Sequence, residues 1–234
     1  MSTAIDAIMI KTSRISKKNP PHETISMNNT IEKLAEYFTK FPGIGTRQSK
    51  RLVYFLLSRD DQFVKTLAEL ILDVKRSVGQ CSGCYRFFPK ETRGQQELCK
   101  ICTDPNVDTS ILMVVEKDTD LENIKKMGVY HGLFFVLGGT IPILDKAPKE
   151  RVRAAELVAR INTISAKNTS LEVILAISAT TEGENTTLYI QKILEPFITK
   201  NRLKVSTLGR GLSTGTELEY SDDETLKNAL KNRG

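Results

Sequence analysis

The sequence predicts a multi-module α/β protein: an N-terminal helical bundle, a small four-cysteine zinc finger, and a parallel sheet covered by helices. Three observations carry this. All four cysteines fall within 22 residues. Before them, a Pro-Gly-Ile-Gly turn joins two segments of helical periodicity. Beyond them, continuous apolar runs alternate with helical patterns.

A length of 234 residues suits two or three small modules, and 40% hydrophobic with 26% charged residues is an ordinary globular mix. No run approaches the roughly 18 apolar residues that span a bilayer. The first residues lack the basic and apolar regions of a signal peptide, so the expected location is cytoplasmic. The net charge is +6, and its placement matters more than its size. Residues 1–80 hold 13 Lys/Arg against 8 Asp/Glu, an excess of 5. Between Tyr37 and Arg59 there is no acidic residue, while Lys40, Arg47, Lys50, Arg51 and Arg59 are basic. Such a field suits a polyanion, although a solvated helix face gives the same composition.

The helical region begins with a segment over 30–41, in which Ile31, Leu34, Ala35 and Phe38 recur at helical spacing and Thr30 is placed as N-cap. This helix must stop before Pro42. Gly43 and Gly45 bracket Ile44, which is expected to be buried, and a second helix starts at Thr46 with Leu52, Val53, Leu56 and Leu57 inward. This is a helix-hairpin-helix pattern. It presents backbone N–H groups at a helix N-terminus, where a DNA phosphate binds without base readout. Arg47 and Arg51 lie one turn apart and flank that position, with Lys50 beside them. The bland alternative is a plain turn in a helical bundle. A third helix over 61–78, with Phe63, Leu67, Leu70, Ile71 and Val74 as core, completes the bundle.

The cysteines read Cys81-Ser-Gly-Cys84 and Cys99-Lys-Ile-Cys102, or C-x2-C-x14-C-x2-C. Two such knuckles form a tetrathiolate site for one Zn²⁺ ion. A redox Cys-x-x-Cys normally stands alone, and disulfides do not suit a chain without a secretion signal. Four protein ligands leave no open position, so the zinc is structural. Phe87 and Phe88 either stack on bases or form a small core under the metal; the core is the expected role.

Strands are expected over 110–115, 133–137, 171–177 and 204–208, with helices over 118–127, 149–165 and 185–197. Val152, Ala155, Leu157, Val158 and Ile161 should face inward on the second of these helices. Function in such sheets gathers at the carboxyl ends of strands, where Glu116, Gly138-Gly139 and residues 178–184 lie. Metal-dependent phosphodiester cleavage needs several carboxylates together. Glu116 is one, but Ser178 and Thr180 stand where an Asp-x-Asp pair would be expected. Glu182 and Glu184 either bind Mg²⁺ or belong to a helix start. No catalytic residue is assigned, and the expected protein is not an enzyme.

The order of hairpin, zinc finger and α/β sheet resembles the RecR family of bacterial recombination mediators. The matching stretches are Pro42-Gly-Ile-Gly45 with Arg47 and Arg51, the four cysteines running into Thr103-Asp-Pro105, and Val114-Val-Glu116. They continue with Val136-Leu-Gly-Gly139, Thr180-x-Glu-Gly-Glu184 and a run from Arg210 through Gly215 to Tyr220. The resemblance spans about 28–234 and implies these regions: 1–27 flexible extension, 28–79 helix-hairpin-helix, 80–105 zinc finger, 110–206 Toprim domain and 207–234 C-terminal assembly segment. It implies a ring-shaped homo-oligomer, commonly a tetramer, that binds DNA without sequence preference. It also implies a nucleoid-associated protein that works with RecO and RecF to load RecA on gapped single-stranded DNA. Gly43, Gly45, Arg47, Lys50 and Arg51 take the DNA-contact role, and Cys81, Cys84, Cys99 and Cys102 the zinc. Glu116 takes the Toprim acid position and, with Glu182 and Glu184, an acidic partner surface. Three departures stand out: Phe135 replaces the family's His before Val-Leu-Gly-Gly, 176–180 reads Ala-Ile-Ser-Ala-Thr, and 143–148 reads Ile-Leu-Asp-Lys-Ala-Pro. The other classes compatible with the residues are a divergent Toprim nuclease or topoisomerase using Mg²⁺, and a zinc-stapled interaction protein that never touches DNA.

Overall fold

A computed structural model describes residues 27–90, 97–145, 147–166, 170–198 and 203–209, with positions 225 and 227. All but Met27 of the expected extension, and nearly all of the expected assembly segment, lie outside the described residues. The chain divides into two compact units, Met1–Leu70 and Ile71–Gly234.

The first unit contains α1 (Met27–Thr39), α2 (Thr46–Leu57) and most of α3 (Asp61–Ser77). Helix α1 starts three residues before Thr30, so Thr30 lies inside it and is not its cap. Only Ala35, Ser49 and Val53 are buried among the described side chains of α1 and α2. Ile44 is half-buried rather than buried, and Leu52 and Leu57 are exposed. The core expected along α3 is absent: Phe63, Leu67, Leu70, Ile71 and Val74 are all exposed. Periodicity identified an apolar face correctly, but this fold does not cover it.

The second unit closes around a sheet. Strands β1 (Val78–Gln80) and β2 (Phe87–Pro89) form an antiparallel ribbon in the cysteine region, followed by the short helix α4 (Lys100–Thr103). Four parallel strands follow: β3 (Asp108–Val115), β4 (Gly132–Val136), β5 (Leu171–Ala176) and β6 (Leu203–Thr207), in the order β4-β3-β5-β6. Their connections carry α5 (Asp118–Met127), α6 (Pro148–Arg151), α7 (Ala154–Ser165) and α8 (Thr181–Ile198).

Alternation along the strands assigns side chains to two faces. Leu112, Val114, Leu133 and Phe135 pack with Leu157 and Ile161 of α7 and Ile190 and Leu194 of α8. Met113, Val115, Phe134 and Val136 pack with Leu121 of α5, and Ile101 of α4 joins them. Because both faces are covered there, residues 111–115 of β3 and 133–136 of β4 read as unbroken apolar runs. Helix α5 ends at Gly128 in the left-handed region, as its sequence requires.

The helix expected over 149–165 is broken into α6 and α7. The Arg153 backbone N–H donates to the Leu137 carbonyl at 2.9 Å, and its guanidinium donates to the Val136 carbonyl at 2.9 Å. These bonds pull residues 152–153 onto the end of β4, out of helical conformation. Val152, Leu157 and Ile161 are buried as expected, but Ala155 is exposed.

Candidate functional sites: a cysteine metal centre, a hairpin and a sheet-end carboxylate

The four cysteine sulfurs converge. Cys81 and Cys84 sit on a knuckle closed by the Tyr85 N–H donating to the Cys81 carbonyl at 2.9 Å. Tyr85 follows in the left-handed region, φ 60°, which is uncommon for a residue with a Cβ. Its ring packs on Phe135, centroids 5.4 Å apart, with the Arg153 guanidinium 5.5 Å above it. Phe135 itself is fully buried, so the residue that departs from the family pattern is here a core contact. Cys99 is the N-cap of α4, which brings Cys102 round one turn.

All four Sγ atoms lie within 4.8 Å of one another, with Cys84 and Cys99 at 3.5 Å. A tetrathiolate with metal–sulfur bonds near ~2.3 Å has S–S edges of about 3.8 Å, so the donor set fits one tetrahedral ion. The Cys99 N–H donates to Cys81 Sγ at 3.3 Å, as expected of a knuckle that neutralises thiolate charge. The sulfurs compete for protons. The contact with Cys102 comes first both in holding Cys81 far below the ordinary thiol range and in pushing Cys84 far above it. A metal removes that competition by replacing the protons. Phe88 is buried beneath the cysteines, while Phe87 is exposed, so the expected aromatic core consists of one ring of the two.

The cysteine module is fastened to the sheet. The Val136 N–H donates to the Cys84 carbonyl at 2.8 Å, so the first knuckle covers the open edge of β4. Arg86 pairs with Glu122 of α5, and the Phe87 N–H donates to Asp118 Oδ1 at 2.7 Å.

In the helical unit, the hairpin forms around Gly43 at φ 78°, which a side chain would strain. The Ile44 N–H donates to the Phe41 carbonyl at 3.1 Å. Gly45 is the N-cap of α2, and among the described residues no side-chain cap bonds the free N–H groups of this first turn. Gly43, Gly45, Arg47, Lys50 and Arg51 are all exposed there. Arg51 also borders a cleft of about 320 Å³ with Ile44, Gln48, Leu52 and Phe55.

At the carboxyl end of the sheet, Glu116 is 7% exposed. Its Oε1 accepts the Ser178 N–H at 2.6 Å and the Ser178 hydroxyl at 2.5 Å. Register explains the meeting, because Val115 pairs with Ala176 and both chains then leave the sheet together. Thr180 accepts the Gly183 N–H at 3.1 Å, so it caps α8. Glu182 is exposed and accepts the Thr140 hydroxyl at 3.1 Å, and Glu184 is half-buried. Among the described residues, the cysteines are the one group of three or more metal-ligating side chains close enough to share an ion. The role of Ser178 as the partner of Glu116 was not read from the sequence. The signal available was the position of both residues just beyond neighbouring strand ends.

Comparison with known proteins agrees with this architecture. Residues 31–75 match the family described as RecR, helix-hairpin-helix; 110–208 match the Toprim domain; and 211–233 match RecR, C-terminal. The chain is 38% identical over 206 residues to "Recombination protein RecR" of Chloroherpeton thalassium, covering 88% of this chain and 97% of that protein. It is 37% identical to the protein of the same name from Gloeothece citriformis, covering 87% and 94%. With that of Lactobacillus acidophilus it shares 35%, covering 87% and 96%. No helix among the described residues is long and apolar enough to cross a membrane.

Proposed function

The chain belongs to the RecR family of recombination proteins, and from this membership we propose that it is a DNA-binding mediator of recombinational repair in the bacterial cytoplasm, at the nucleoid. It acts as a ring or clamp of several copies, with a tetramer as the expected form. With RecO- and RecF-type partners it helps load RecA on gapped single-stranded DNA. One observation carries the DNA reading: an uncapped helix N-terminus, flanked by exposed Arg47, Lys50 and Arg51, in a stretch free of acidic residues. Backbone N–H groups and guanidinium groups grip phosphates and ignore bases. Affinity should therefore fall steeply with salt and depend little on sequence.

The four cysteines hold one structural Zn²⁺ ion, which supplies charge neutralisation and a covalent cross-brace for 80–105. Soft thiolates in a tetrahedral arrangement favour this metal. The exposed apolar face of α3, with Phe63, Leu67 and Leu70 at helical spacing, supports assembly through a second copy of the chain. Glu116 contributes no catalysis. A Mg²⁺ site needs several oxygen ligands, whereas here one oxygen of this carboxylate accepts a hydroxyl and an amide and no cluster of carboxylates surrounds it among the described residues. Together with Glu182 and Glu184, it belongs to the acidic end of the sheet that meets partner proteins.

The test is fluorescence anisotropy with labelled DNA across a salt series, comparing wild type with Arg47→Ala/Arg51→Ala. Native mass is recorded in parallel. The double variant is expected to bind more weakly at unchanged mass, with the slope of log affinity against log salt reduced by about 2. Equal binding by the two proteins would remove the hairpin from the DNA contact.

A further inference from the structure

Three of the four cysteines are sealed from solvent, and Cys102 is not. Cys81, Cys84 and Cys99 are 0% exposed, whereas Cys102 is half-buried. Next to Cys102 lies Arg160, in the second turn of α7. Its Nη2 is 3.7 Å from Cys102 Sγ. Its Nε is buried without a hydrogen-bond partner among the described residues. Gly83, in the first knuckle, makes room for this approach. A Cβ there would lie 3.2 Å from Cys102 Sγ, 3.4 Å from Arg160 Cζ and 3.0 Å from Leu98 Cδ2.

Drawing a guanidinium into a partly buried site costs free energy unless it meets a strong acceptor. A thiol is a weak acceptor, whereas a metal-bound thiolate carries charge and accepts well. Four thiolates around one divalent ion leave a net charge of −2, by the ordinary charges of the groups. A cation against the sulfur of this half-buried ligand therefore compensates the charge of the centre.

We propose that Arg160 is a positioning residue of the metal centre, holding the Cys102 thiolate by an N–H···S hydrogen bond and protecting it from ligand exchange. The proposal rests on the metal reading of the four cysteines. Release starts at one ligand. With an ion bound, loss of the Cys102 ligand would leave the electron pair on sulfur, to be protonated by hydronium or a buffer acid, while a donor atom of the chelator would take the place of that sulfur. A guanidinium bound to that sulfur lowers its basicity and occupies the path of approach. Because Arg160 stands on a sheet-covering helix, it also ties metal retention to the docking of the cysteine module.

The experiment measures zinc release from the full-length, zinc-loaded protein to the chromogenic chelator 4-(2-pyridylazo)resorcinol. Wild type is compared with Arg160→Met, which keeps the apolar stem, and Arg160→Lys, which keeps the charge. Release should be about tenfold faster in Arg160→Met, in line with the effect of other outer partners of metal ligands. Arg160→Lys should fall between, and iodoacetamide should label Cys102 first in the Met variant. Arg160→Gln gives a second neutral variant should the Met protein not fold. If a folded neutral variant releases zinc at the wild-type rate, the Arg160 inference is overturned while the metal reading stands. If purified wild type carries no zinc, the metal reading fails and this inference falls with it.

Discussion

In α3, Phe63, Leu67 and Leu70 are exposed, whereas Leu112, Met113, Val114 and Val115 of β3 are at most 5% exposed. Apolar residues are abundant in both regions. Strands β3 and β4 bury theirs internally, since helices pack against both of their faces. Among the described residues, the helical unit has α1, α2 and most of α3 and no second layer, so a stripe of α3 stays uncovered. Burying a side chain of this size is worth roughly 1.5–3 kcal/mol. The contrast teaches that an apolar period shows which face seeks cover, not whether the same chain supplies it.

Gly183→Ala gives the largest expected effect and acts on the closed unit alone. A Cβ at Gly183 would lie 2.0 Å from the Ser178 carbonyl oxygen, a backbone atom that cannot turn aside. The clash would push α8 from β5 and disturb the Ser178–Glu116 contact. The expected cost is about 3 kcal/mol, the upper end of the usual range for overpacking. Hydrogen exchange should show loss of protection in the sheet strands, with α1 and α2 unaffected.

Leu70→Glu tests the open unit. Leu70 is 57% exposed, so the isolated fold should tolerate the charge within ~0.5 kcal/mol. If the α3 stripe is covered by a second copy, assembly should weaken strongly, read as lower mass by analytical ultracentrifugation. An unchanged mass would show that this face serves another purpose.

Glu172→Gln gives the smallest effect. Its carboxylate accepts the Ser206 hydroxyl at 2.7 Å and pairs with Lys204 at 3.1 Å across β5 and β6. The Ser206 hydrogen bond, then Lys204, holds its pKa below the ordinary carboxylate value. A depressed folded pKa stabilises above the unfolded value, and the benefit is lost as pH falls through the folded one. A partly exposed pair of this kind contributes under about 1 kcal/mol. Wild type should melt slightly above the variant near neutral pH, and the gap should close in acid.

Much of the candidate site was legible because its chemistry is local. The doubled Cys-x-x-Cys spacing places each pair on one knuckle, and Pro42-Gly-Ile-Gly45 dictates a sharp turn wherever it occurs. Glu116 was legible as the residue after a buried strand. Its engagement by Ser178, 62 positions later, depends on the register of β3 with β5. Arg160 gave no signal at all, being an ordinary arginine in the middle of a helix until α7 is laid beside Cys102.

By itself, the sequence determined the modules, their order, the cysteine quartet and the positive hairpin. These follow from short-range spacing and from backbone limits that neighbours cannot override. Only the tertiary structure decided which apolar faces are covered, where the 149–165 helix breaks, and what holds Glu116 and Cys102. Those outcomes turn on contacts between residues far apart in the chain, where an arginine's reach or a strand's register selects one partner among many.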